Sequence, residues 1–166
     1  MQKIETAGEV LRWSSRMTLI EELSALVRAL DEAKVEYALV GGLAVAVWGV
    51  ARATKDIDLL VEKADAERAA SVAKGCGFTL DAFPMEFDDG MEMRRLNKVE
   101  TDGTLLTVDF LLVGPAQQTV WEGRQRVPFQ TGSISVASRE GLIAMKLSAG
   151  RAQDLADVQK LREGDR

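Results

Sequence analysis

Apolar residues recur along the chain at two spacings, and the switches between them lay out the elements. In residues 18–35, Leu19, Leu23, Leu26, Val27 and Leu30 fall on one stripe. Thr18 and Glu21 stand at capping-box spacing ahead of it, which predicts an amphipathic helix. Residues 36–40 (EYALV) predict a short strand running directly into Gly41-Gly42. Residues 43–50 (LAVAVWGV) are apolar all round and predict a short buried helix with Trp48 in the core. KDIDLLVE (55–62) predicts a strand, and residues 64–78 a surface helix ending at Gly75 or Gly77.

Beyond residue 78 the pattern changes to strand-like segments. Residues 91–99 and 104–113 predict two strands joined by a hairpin turn at TDGT, with EFDDG (86–90) ahead of them as a solvated loop. A short helix follows Pro115. RVPFQ and SISVAS predict two short strands, the first demoted to a sheet edge by Pro128. Ser138 caps a helix that Gly150 interrupts, and a last helix follows, making a C-terminal helical pair over 138–162. The order implies an α/β (α+β) fold in one domain over 1–166, a mixed sheet with helices packed on it, behind an N-terminal extension at 1–16.

Composition narrows the chemistry. At 46% hydrophobic residues the chain can fill a core, and its net charge of −5 argues against a broad basic surface for nucleic acid, so no strong intrinsic nucleic-acid binding is expected. There is no His and a single Cys, Cys76, which excludes histidine catalysis, an intramolecular disulfide and a cysteine zinc cluster. A metal here is held by oxygen, pointing to Mg²⁺ or Mn²⁺. The first residues carry no apolar signal-peptide core, and the longest apolar run (38–50) falls short of the ~20 residues that span a bilayer. A cytoplasmic protein without membrane contact is expected.

Against that background two carboxylates on a greasy strand stand out. Asp56 and Asp58 are two apart and share a face, while Ile57 and Leu59 point to the core. Side by side they repel, and a divalent cation between them relieves the cost. Asp109 sits in a strand that is otherwise apolar but for Thr107, and joins the cluster if that strand pairs beside residues 56–61. Gly41 and Gly42 lie where a strand meets a helix, where free backbone N–H groups favour an anion and the missing Cβ admits close approach. A phosphate cradle beside a metal site describes Mg²⁺ with a nucleoside triphosphate.

LVGGLAVAVWGVARATKDIDLLV resembles the signature of the DNA polymerase β-like nucleotidyltransferases: Gly-Gly or Gly-Ser, a spacer of about a dozen residues, then Asp-x-Asp on a strand. Here 13 residues separate Gly42 from Asp56. The Arg52-x-Thr54-x-Asp-Ile-Asp form, and the MKLSAGRAQDLADVQKL ending, are similar to small bacterial abortive-infection and toxin–antitoxin nucleotidyltransferases. The resemblance implies Gly41 and Gly42 at the triphosphate and Asp56 and Asp58 on the metal ions. It implies Asp109 completing a second metal site and helping to deprotonate the acceptor hydroxyl. It also implies Arg52, Thr54 and Lys146 near the phosphates.

The implied reaction moves a nucleoside monophosphate from an NTP to a hydroxyl of a protein, a tRNA or a small molecule, with an antitoxin as a possible partner. Gly42 lacks the hydroxyl that Ser supplies in many members. Alternatives are a non-catalytic nucleotide- or partner-binding module of the same fold and, with less support, an Asp-x-Asp glycosyltransferase.

Local readings compete at several positions. Asp56 and Asp58 could pair with Lys55 or Arg52, Asp109 with an arginine, and Lys146 could be a boundary lysine with its stem buried. Arg151, Asp154 and Asp157 read as an ion-pair ladder on a helix surface. Arg94 and Arg95 point to opposite faces of their strand, so at most one reaches a substrate.

Overall fold

The computed structural model describes residues 7–51 and 53–164, with side chains from residue 19 onward. The first helix, α1 (Ala7–Glu32), buries the expected stripe, with Leu23, Leu26 and Leu30 at 1% exposure or less. It does not start at the Thr18 capping pattern. The helix runs further upstream through residues 7–17, so most of the expected extension is its first turns.

Strand β1 (Ala38–Val40) leads into α2 (Gly41–Val47), and β2 (Asp56–Glu62) follows. A 3₁₀ turn opens α3 (Ala66–Gly75), and Gly77 just past its end takes φ +99. Two short strands, β3 (Leu80–Asp81) and β4 (Met85–Glu86), precede the hairpin of β5 (Glu92–Val99) and β6 (Leu105–Val113). Helix α4 (Gln118–Glu122) follows Pro115. Then come the edge hairpin β7 (Gln125–Phe129) and β8 (Gly132–Val136), and the helices α5 (Arg139–Ala149) and α6 (Ala152–Glu163). Glu86, expected in a solvated loop, pairs with Glu92 in β4–β5; the turn beyond it is exposed as expected.

Among the described residues the eight strands form one sheet in the order β3-β5-β6-β2-β1-β8-β7, with β4 also on β5. Two contacts are parallel, β2 with β6 and β1 with β8, and the rest are antiparallel. The interior position of β6 explains its apolar run: Leu106 to Leu111 are all buried. β7 lies at the edge, where the missing N–H of Pro128 does least harm.

Ser138 caps α5 by accepting from the Gly141 N–H at 3.0 Å, and Gly150 ends that helix at φ +66. Trp48 is partly buried against the core and donates from Nε1 to the Ala137 carbonyl at 3.0 Å. Among the described residues no helix is long and apolar enough to cross a membrane.

Candidate active site

Strand register builds the site. β1 pairs Val40 with Asp58, β2 pairs Asp58 with Asp109, and β5 pairs Arg95 with Asp109. Residues paired across neighbouring strands point to the same face, about 5 Å apart. Asp58, Asp109 and Arg95 therefore form one row, and Asp56, Thr107 and Asn97 the next row on the same face. In that second row the Thr107 hydroxyl bonds Asn97 Oδ1 at 2.7 Å. The condition set for Asp109 holds as far as the strands go: β6 lies beside β2, with Asp109 paired to Asp58.

The Arg95 guanidinium grips Asp109 with two bonds, Nε to Oδ1 at 2.7 Å and Nη2 to Oδ2 at 2.8 Å. Asp109 is 4% exposed. Arg94, on the opposite face, bonds Glu67 and reaches Asp81 at 3.5 Å. Sequence parity separated the two arginines; only the β5–β6 register says that Arg95 is the one in the site.

Burial, then the neighbouring charges of Asp109 and Asp56, push the Asp58 carboxyl up to about 7, against the opposing pull of Arg95 and Lys146. Burial and Asp109 raise Asp56 as well, opposed by Arg95 and Lys55. The cluster holds more negative charge than its surroundings neutralise, and every donor is oxygen. These residues fit a hard divalent cation on Asp56 and Asp58. Among the described residues no three acidic or cysteine side chains converge as a metal-binding group, and both Asp109 oxygens are taken up by the guanidinium.

Gly41 sits at φ +70, and a Cβ there would lie 2.2 Å from Asp58 Oδ2. The glycine is needed first because the carboxylate fills the space where a side chain would stand. Gly42 is buried at the start of α2.

Thr54 lies just ahead of β2, its hydroxyl 3.5 Å from the Asp56 carbonyl. Arg52 falls outside the described residues. Lys146 is buried on α5, its ammonium 2.9 Å from Asp157 Oδ2 and 3.4 Å from Asp154 Oδ1, while still within electrostatic range of Asp58.

The expected surface ladder at Arg151, Asp154 and Asp157 is overturned. Asp154 and Asp157 are each 1% exposed, because α6 turns them inward with Val158 and Leu161 against Lys146 of α5. Arg151 bonds Asp154 through Nε at 2.7 Å, yet its side chain stays 77% exposed and within range of Asp58. Burial works to raise the Asp154 carboxyl, but Arg151 and Lys146 outweigh it and hold it below the usual range. The legible signal was a lysine on an apolar helix stripe opposite two aspartates at i, i+3.

A carboxylate pair on one strand, a third carboxylate in register on its parallel neighbour and a glycine turn beneath them place the chain among the nucleotidyltransferases of the DNA polymerase β-like fold. Residues 22–128 match the aminoglycoside-2''-adenylyltransferase family, and the chain belongs to it.

Among solved structures it is similar to a Thermotoga maritima protein assigned as a nucleotidyltransferase (16% identity, TM-score 0.62, 91% of this chain and 96% of that one). It is similar also to the antibiotic-resistance factor ANT(2'')-Ia in solution (15%, TM-score 0.60, 87% and 83%). A third likeness is to the lincosamide antibiotic adenylyltransferase LnuA bound to lincomycin (14%, TM-score 0.54, 86% and 95%). No curated protein matches the sequence.

Proposed function

We propose that the chain transfers a nucleoside monophosphate, AMP by its family, from an NTP to the hydroxyl of a small molecule. The observation that carries this reading is the in-register row of Asp58, Asp109 and Arg95 beside Asp56. The acceptor oxygen attacks the α-phosphorus, the bond to the bridging β-phosphate oxygen breaks, and pyrophosphate leaves. Asp109, at the centre of the row, would take the hydroxyl proton.

Asp56 and Asp58 would hold a divalent cation, Mg²⁺ or Mn²⁺, which when bound neutralises the triphosphate and the departing pyrophosphate. The backbone at Gly41-Gly42 and the exposed guanidinium of Arg151 would meet the phosphates. Lys146, already engaged by Asp154 and Asp157, would set the field around Asp58 rather than touch substrate. Family membership favours a small-molecule hydroxyl over the protein and tRNA acceptors that go with a toxin–antitoxin role.

The test is calorimetric titration of ATP, GTP, CTP and UTP with Mg²⁺ into wild type and Asp58→Ala, followed by pyrophosphate release with hydroxylated acceptors. Metal-dependent binding of ATP that vanishes in the variant supports the reading. Binding indifferent to metal and to Asp58 would leave a non-catalytic module of the same fold.

A further inference from the structure

Arg95 has no part in the reaction as set out above, yet it is the group most firmly attached to the site. Its guanidinium meets both oxygens of a nearly buried carboxylate, and its charge also bears on Asp56 and Asp58. Its neighbour Arg94 is spent on the far face of the strand, so the strand's parity dedicates one arginine to the carboxylate row.

Three ionised carboxylates carry three negative charges; with one guanidinium in the row, two remain. A single divalent cation balances the share of that charge carried by the protein; the triphosphate brings its own in addition. A second ion sharing Asp109 would have to bind beside a guanidinium that already neutralises that carboxylate through a bidentate pair and cannot lose its own charge by giving up a proton.

We propose that the Arg95 guanidinium takes the position of a second divalent cation at Asp109, so that the site loads one metal ion, on Asp56 and Asp58. Arg95 is then a positioning residue: it fixes the Asp109 carboxylate edge-on. Each carboxylate oxygen has a further lone pair, so Asp109 still accepts the acceptor hydroxyl's proton while it is held. The inference rests on the nucleotidyl-transfer reading of the same site.

The experiment counts bound Mn²⁺ from the electron paramagnetic resonance signal of the free ion. The chain is mixed with an equimolar non-hydrolysable ATP analogue, both well above their dissociation constant, and analogue binding is measured in parallel by calorimetry. Wild type is expected to hold one Mn²⁺ per chain, Arg95→Gln two, and Arg95→Lys, which keeps the charge, one again. A merely structural arginine would leave the count unchanged in a variant that still melts cooperatively. Two ions in wild type, or one in a folded Arg95→Gln, with the analogue bound, overturns the inference and leaves the transferase reading standing. An analogue that does not bind wild type overturns the transferase reading, and this inference with it.

Discussion

Asp58 is crowded by burial, by Asp109 and by Asp56, and the crowding makes its charge a liability in the metal-free protein. Its folded-state pKa of about 7 lies above the value near 3.9 of an unfolded aspartate. Between those values the folded chain binds a proton that the unfolded chain has released, so stability falls as pH rises from about 4 to about 7 and stays reduced above that. The shift corresponds to roughly 4 kcal/mol. Metal-free Asp58→Asn is therefore expected to be more stable than wild type at pH 8, with the gap closing near pH 4, as read by thermal melts across that range. A gap that stayed constant with pH would place the charge penalty elsewhere.

Gly41 offers the converse case, a position where adding one carbon harms both fold and site. Gly41→Ala puts a methyl group into the Asp58 carboxylate at a φ that L-residues avoid. It is expected to cost about 1–3 kcal/mol in urea denaturation and to remove metal-dependent nucleotide binding.

Helices α5 and α6 are joined by charge as much as by apolar packing. Lys146 is the shared cation of Asp154 and Asp157, and all three are buried. Lys146→Met would leave Asp157 without that ammonium and Asp154 leaning on Arg151 alone. Breaking one side of a buried ion cluster costs roughly 3–5 kcal/mol. The triple variant Lys146→Met, Asp154→Asn, Asp157→Asn is expected to recover much of that loss in urea denaturation, because no buried charge is left unpaired. A triple variant as unstable as the single one would show that packing of the lysine stem, rather than charge pairing, joins the helices.

Such an ion cluster is hard to read in sequence because helical spacing says which residues share a face without saying what that face meets. Strand parity put Asp56 with Asp58 and separated Arg94 from Arg95, but the row of Asp58, Asp109 and Arg95 needed the register of three strands. That register is a tertiary fact. The strongly patterned elements, the α1 stripe, β2 and the β5–β6 hairpin, follow from periods of 3.6 and 2. The two-residue strands β3 and β4 do not, being defined only by their pairing with β5.

Assembled, the sheet gathers three carboxylates from β2 and β6 in a chain whose net charge is already −5, and the triphosphate adds more negative charge. The free protein is thus poised against its own ligand unless a cation comes with it. Nucleotide should therefore stabilise the fold only when metal accompanies it. A ligand at a hundred times its dissociation constant adds about 2.7 kcal/mol to stability. For a domain of this size that is a rise in melting temperature of roughly 5–10 °C. With Mg²⁺ and a non-hydrolysable ATP analogue together, a shift of that order is expected by scanning calorimetry. The analogue with chelator should give little, because its charge meets the uncompensated carboxylates, and removing the metal with excess chelator should return the melt to that of the free chain. Asp58→Asn, which lacks both the charge penalty and the metal ligand, should start higher and gain nothing from the pair. A full shift with nucleotide alone would mean that the phosphates are met by Arg151 and the glycine backbone without a cation, and the carboxylate row would then serve the acceptor.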